Sequence, residues 1–147
     1  MRFLSIATLI LLVDLSVSLR IHDNYNIFRN GGRRPILNSN FGMTCQLYSV
    51  YNVNQILDFT RTAHQIIEDP NQGLDTCTFD PFPQEVLYIY RIGTTYLEDT
   101  GHAVNYIIVN FVGQFFAGFY QYESSEGTVT GLCTFDWGTQ FNSFEGN

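Results

Sequence analysis

The sequence predicts an α+β domain in which one long N-terminal helix packs on an antiparallel sheet of about four strands. Three observations carry this expectation. Apolar residues recur at helical spacing between Thr44 and Ile67, and the texture changes to strand-like alternation after Pro81-Phe82-Pro83. The connections between the later apolar runs are so short that neighbouring strands must run antiparallel.

Taken in order, the chain opens with Met1-Arg2 and an apolar run from Phe3 to Val13, too short to span a bilayer. Ser16 and Ser18 supply the small-x-small pattern read by a signal peptidase, so residues 1–18 are expected to be a signal peptide and the protein to be secreted. Residues 19–42 are rich in Asn, Gly and Arg and read as an irregular basic arm; residues 43–147 form the single α+β domain. Within the arm, Gly31-Gly32-Arg33-Arg34 resembles a dibasic processing site, against which Pro35 argues.

The helix is expected from Thr44 to Ile67, with Thr44 or Asn40 as N-cap and Glu68-Asp69-Pro70, followed by Gly73, as stop. It carries two apolar stripes. Leu47, Val50, Tyr51 and Leu57 lie on one side, and Ile56, Phe59, Ala63, Ile66 and Ile67 on nearly the other. Such a helix is either buried on two sides or broken near Asn54 to Asp58. The strands are expected at Glu85 to Ile92, Ala103 to Val112, Phe115 to Tyr122 and Thr128 to Phe135, with turns at Gly113-Gln114 and Glu123 to Gly127. Phe141 and Phe144 are expected to pin the C-terminal tail.

The chain has no lysine, seven arginines and fourteen acids, for a net charge of -7. That balance opposes the positive field that phosphate binding needs, so a nucleic-acid role is not expected. No second apolar stretch is long enough for a membrane span. His22, His64 and His102 are isolated, so neither a metal site nor a cofactor is expected. Among the three cysteines, Cys77 and Cys133 each open the tetrapeptide Cys-Thr-Phe-Asp beside a strand and are expected to pair; the bridge would stabilise by on the order of 4 kcal/mol. Cys45 would then be free, and dimerisation through it conceivable.

Two local motifs suggest sharper functions. Cys45 in the first turn of a helix would have a lowered thiol pKa, His102 opens a strand, and Gln114 follows as a polar group able to orient an imidazole. The stretch Thr44-Cys45-Gln46-Leu47-Tyr48-Ser49-Val50-Tyr51-Asn52 together with Gly101-His102-Ala103-Val104 resembles the papain-like cysteine hydrolases of the compact NlpC type. The resemblance implies amide hydrolysis with Cys45 as nucleophile, His102 as base and Gln114 as orienter. Separately, Gln114-Phe115-Phe116-Ala117-Gly118 resembles the Gln-x-Val-x-Gly hairpin of the cystatins. That resemblance implies a protease-inhibiting wedge in which Gln114, Phe115, Phe116 and Gly118 act with Trp137 and with Gly31 or Gly32. The two motifs exclude each other, since an orienting glutamine faces the helix start and a wedge tip faces solvent.

The first expectation, above both motifs, is a secreted, non-enzymatic binding protein whose partner is an extracellular protein or small ligand. Its nine tyrosines and thirteen phenylalanines exceed what a core of this size must take up.

Overall fold

Asn52, not Thr44 or Asn40, starts the helix. In the computed structural model, which describes residues 19–23, 32–46, 49–98 and 101–143, the helix α1 spans Val53–Glu68. Asn52 Oδ1 accepts from the Gln55 amide at 3.0 Å, and Gln55 Oε1 accepts from the Asn52 amide at 2.8 Å. This reciprocal capping box satisfies two amides that a helix start otherwise leaves bare. Ile56, Thr60 and Ala63 form the buried stripe, and Asp69, restricted by the following Pro70, ends the helix.

Before the cap, the described residues Thr44, Cys45 and Ser49 to Tyr51 lie in paired strands. Strand β3 (Gly42–Cys45) pairs antiparallel with β4 (Ser49–Asn52), after Gln46 adopts a left-handed φ of 58°. The first stripe is split between elements: Val50 and Tyr51 lie on a strand, whereas Leu57 lies on the helix together with Ile56, Phe59, Ala63, Ile66 and Ile67 of the second. Leu47 lies outside the described residues.

The expected α+β architecture is overturned. Strand makes up 53% of the described residues and helix 14%, so one short helix serves a mostly sheet protein. The remaining strands are β1 (Leu19–Ile21), β2 (Arg33–Pro35), β5 (Thr76–Phe79), β6 (Leu87–Leu97), β7 (Gly101–Asn110), β8 (Phe115–Ser124), β9 (Gly127–Leu132), β10 (Thr134–Phe135) and β11 (Phe141–Ser143). The main sheet has six strands in the order β1-β5-β6-β7-β8-β9, parallel only between β1 and β5. A three-stranded sheet β10-β3-β4 and a two-stranded sheet β11-β2 accompany it.

The basic arm is accordingly not irregular throughout. Strand β1 enters the main sheet and buries Ile21, while Arg20 and His22 both bond Asp80, at 3.2 and 2.7 Å. The hydrogen bond with His22, opposed by desolvation and aided by Arg20, holds the Asp80 carboxyl below its usual range. The dibasic pair lies in β2, where Arg34 donates to the Phe115 carbonyl at 3.2 Å and its guanidinium stands 5.5 Å from the centre of the Phe116 ring. A protease would have to extract that strand before cutting after Arg34. The expected signal peptide, Gly31 and Phe144 lie outside the described residues.

Both faces of the main sheet are covered at its centre, which is why β8 is buried without interruption from Phe115 to Phe119. One face packs Ile21, Cys77, Phe79, Phe82, Ile108 and Phe119. The other packs Ile56 and Ala63 of α1 with Met43, Cys45, Cys133 and Phe115. A bulge assigns β8 to both. Ile108 pairs with Ala117 and Val109 with Phe115, leaving Phe116 as the additional residue, so Phe116 and Ala117 share one face while Phe115 takes the other.

Glycines seat the second layer. A Cβ at Gly118 would overlap the Met43 sulfur and stand 3.2 Å from Cys133 Sγ, and one at Gly93 would stand 2.8 Å from Tyr51 Oη. Beside Gly93, the fully buried Asn105 donates to Tyr51 Oη at 3.0 Å and to Thr95 Oγ1 at 3.1 Å, and Thr95 also contacts Ser49 Oγ. These bonds tie β4 to the sheet in an otherwise apolar layer and satisfy Asn105 Nδ2, while Asn105 Oδ1 is buried without a partner among the described residues.

Candidate functional site

Pairing between β10 and β3 sets Thr134 opposite Thr44, and the next position in that register sets Cys133 opposite Cys45. The two Cα atoms are 4.4 Å apart and the sulfurs are bonded. The expected Cys77–Cys133 bridge is therefore corrected to Cys45–Cys133. The physical reason is that Cys77 packs on one face of the main sheet and Cys133 on the other, so the sheet itself separates them.

The same bond removes the thiol constellation. Cys45 sits in a strand, not at a helix N-terminus, and a disulfide sulfur has no thiolate with which to attack. His102 is exposed and edge-on to Tyr96, with ring centres 5.5 Å apart. Along β7 its side chain shares a face with Ile108, opposite the layer that holds Cys45. Gln114 does not reach it. The Gln114 amide donates to Asn110 Oδ1 at 2.9 Å, its Oε1 accepts from Asn110 Nδ2 at 2.8 Å, and about 26 Å of strand separates Asn110 from His102.

Cys77 is the remaining thiol. It is 2% exposed, and burial pushes its pKa up from 9.0 to about 12. It can therefore bridge two chains only after unfolding, which corrects the expected dimer through a free cysteine. A thiol reagent should leave the native protein untouched and label one cysteine per chain once denaturant is added. Because burial favours the neutral thiol, its stabilising contribution is complete below the ordinary value of 9.0 and lost as pH rises toward about 12. A pH titration of the unfolding midpoint should fall over that window in the wild type and flatten in Cys77→Ala.

Most of the cystatin-like stretch is interior. Phe115, Phe116 and Gly118 are buried, and only Gln114 is exposed. What projects is the turn itself, with Phe111 55% and Val112 44% exposed, held by the Asn110–Gln114 bonds and by Gly113 at φ 82°. Leu87 pairs with Asn110, so Val86, 63% exposed, flanks Phe111 at the same sheet end. Trp137 is fully exposed. Its loop is tied to this end of the sheet, because Phe135 lies 6.2 Å from Phe115 and 5.7 Å from Phe41.

Val86, Phe111, Val112 and Trp137 thus make an exposed apolar rim, of which sequence reasoning named only Trp137. The available signal was a Phe-Val pair placed directly before the turn glycine, where polar residues are usual. Exposed apolar groups gathered at one end of a domain mark a binding surface more often than a core defect. Among the described residues there is no cluster of three or more His, Cys, Asp or Glu side chains able to hold a metal ion, and no helix long and apolar enough to cross a membrane. No protein-family model, curated protein or solved structure matches the chain.

Proposed function

We propose that this is a secreted, non-enzymatic binding protein that docks an extracellular protein through the rim formed by Val86, Phe111, Val112 and Trp137. The observation carrying the reading is the full exposure of the sole tryptophan in a loop tied to the sheet end where a hairpin tip presents Phe111 and Val112 to water. Aromatic anchors of this kind supply most of the energy of a protein interface when a partner excludes water from them. The disulfide is compatible with an oxidising compartment.

The chain also carries its own reporter. Excitation of tryptophan alone reads the rim, and an authentic partner should shift Trp137 emission to the blue as the indole leaves water. Trp137→Ala combined with Phe111→Ser should leave the unfolding midpoint unchanged and weaken partner binding by about 2 kcal/mol or more. Undiminished binding by the double variant would sink the proposal.

The sharper form of this reading is a wedge that occupies the cleft of a papain-like protease. The specific observation in its favour is that the Phe111–Gln114 turn and the Trp137 loop share one sheet end, as two wedge elements must. Its tip would be Phe111 and Val112 rather than the buried Phe115, Phe116 and Gly118. Inhibition of such a protease at micromolar protein, lost in the double variant, supports it; an untouched protease rejects the wedge and leaves the docking surface.

A further inference from the structure

The geometry points to a second copy of this chain as the occupant of the outer edge of β9, joined to it in an antiparallel pair centred on Val129. Strand β9 ends the main sheet, and among the described residues no strand pairs with its outer edge. The opposite edge is the three-residue β1, guarded by the Arg20–Asp80 ion pair. By contrast β9 runs Gly-Thr-Val-Thr-Gly-Leu, with no charge or proline to blunt it.

The phase of the backbone selects one register. The Cys133 amide donates to the Gly118 carbonyl at 2.9 Å, so at alternate positions the backbone groups of Gly131, Val129 and Gly127 face β8. Those of Thr128, Thr130 and Leu132 face outward. An antiparallel partner that meets them symmetrically sets Thr128 against Thr130 of the second copy, each pair exchanging both its N–H and C=O bonds, with Val129 against Val129 on the two-fold axis.

The side chains in that register complement themselves on both faces. On one, Tyr122 pairs with Val129 and both are half-buried, so the second copy continues an apolar row from tyrosine through two valines to tyrosine. On the other, Thr128 donates to Glu123 Oε1 at 2.7 Å, leaving its own oxygen able to accept. Thr130 accepts from Gln121 Nε2 at 3.0 Å, leaving its hydroxyl hydrogen able to donate. Thr130 of one copy therefore donates to Thr128 of the other, which closes an unbroken chain of hydrogen bonds from Gln121 to the Glu123 carboxylate.

Sedimentation equilibrium on the intact protein tests this. Reversible dimerisation is expected, strengthened by salt because each chain carries a net charge of -7. Val129→Lys and Val129→Glu should each weaken self-association by at least about tenfold, since each sets like charges directly opposite. Mixing the two variants should restore it. Thr130→Pro removes an outward amide that no intramolecular bond uses and should abolish the dimer while the circular dichroism stays native. A wild type that stays monomeric to its solubility limit, or a Val129→Lys chain that dimerises as the wild type does, overturns the assignment. So does a scrambled peptide that competes as well as a peptide with the β9 sequence, because the edge would then be a general strand acceptor.

Discussion

Replacing Cys45 and Cys133 together by alanine should lower the stability by about 4 to 5 kcal/mol, the loop-closure entropy the unfolded chain regains. The bridge spans 88 positions and ties β3 to the residue between β9 and β10, so it closes most of the chain into one loop. In urea the midpoint should fall and the slope m should rise, because the unbridged unfolded chain exposes more surface. An unchanged midpoint would show that the bridge is absent or that the unfolded state is already compact.

Phe116→Ala should cost about 3 to 5 kcal/mol, the range for deleting a buried aromatic ring. Phe116 is fully buried and meets the Phe82 ring edge-on at 4.7 Å, under the Arg34 guanidinium. The loss should be read as a lower unfolding midpoint, without a direct effect on binding by the folded fraction. The rim double variant should do the reverse. A stable Phe116→Ala chain that no longer binds would return this residue to the contact surface and remove it from the core.

Periodicity was informative where one face of an element is buried and misleading where an element is short or covered on both sides. The turns expected at Gly113-Gln114 and Glu123 to Gly127 imply hairpins that the structure contains as β7–β8 and β8–β9, the second turn being tighter than expected, between Ser124 and Gly127. They did not disclose that these strands belong to a six-stranded sheet in which β9 is the edge. Strands β1, β2, β10 and β11 have two or three residues each, too few to show any period, and their partners lie far off in the chain.

The helix boundary is obscured in the sequence because Val50 and Tyr51 satisfy a helical stripe by coincidence, although the capping box Asn52-x-x-Gln55 marks the true start. The cysteine pairing was missed for a different reason. The repeated Cys-Thr-Phe-Asp tetrapeptide says nothing about which face of a sheet each sulfur occupies. For the candidate site, Trp137 was legible because a lone tryptophan in a loop has no core to enter. Phe111 was hidden because a run from Ala103 to Val112 looks like one strand, although β7 stops at Asn110.

The cysteine arrangement also sets a timing problem for biosynthesis. At ordinary translation speeds Cys133 leaves the ribosome roughly 4 to 18 s after Cys45, given their separation of 88 positions. Cys77 emerges in between, before the sheet exists to hide it. Any early Cys45–Cys77 linkage would join groups destined for opposite sides of that sheet, so it must be undone before the layers can close. Where such a linkage forms, thiol exchange has to resolve it before the sheet can close over Cys77.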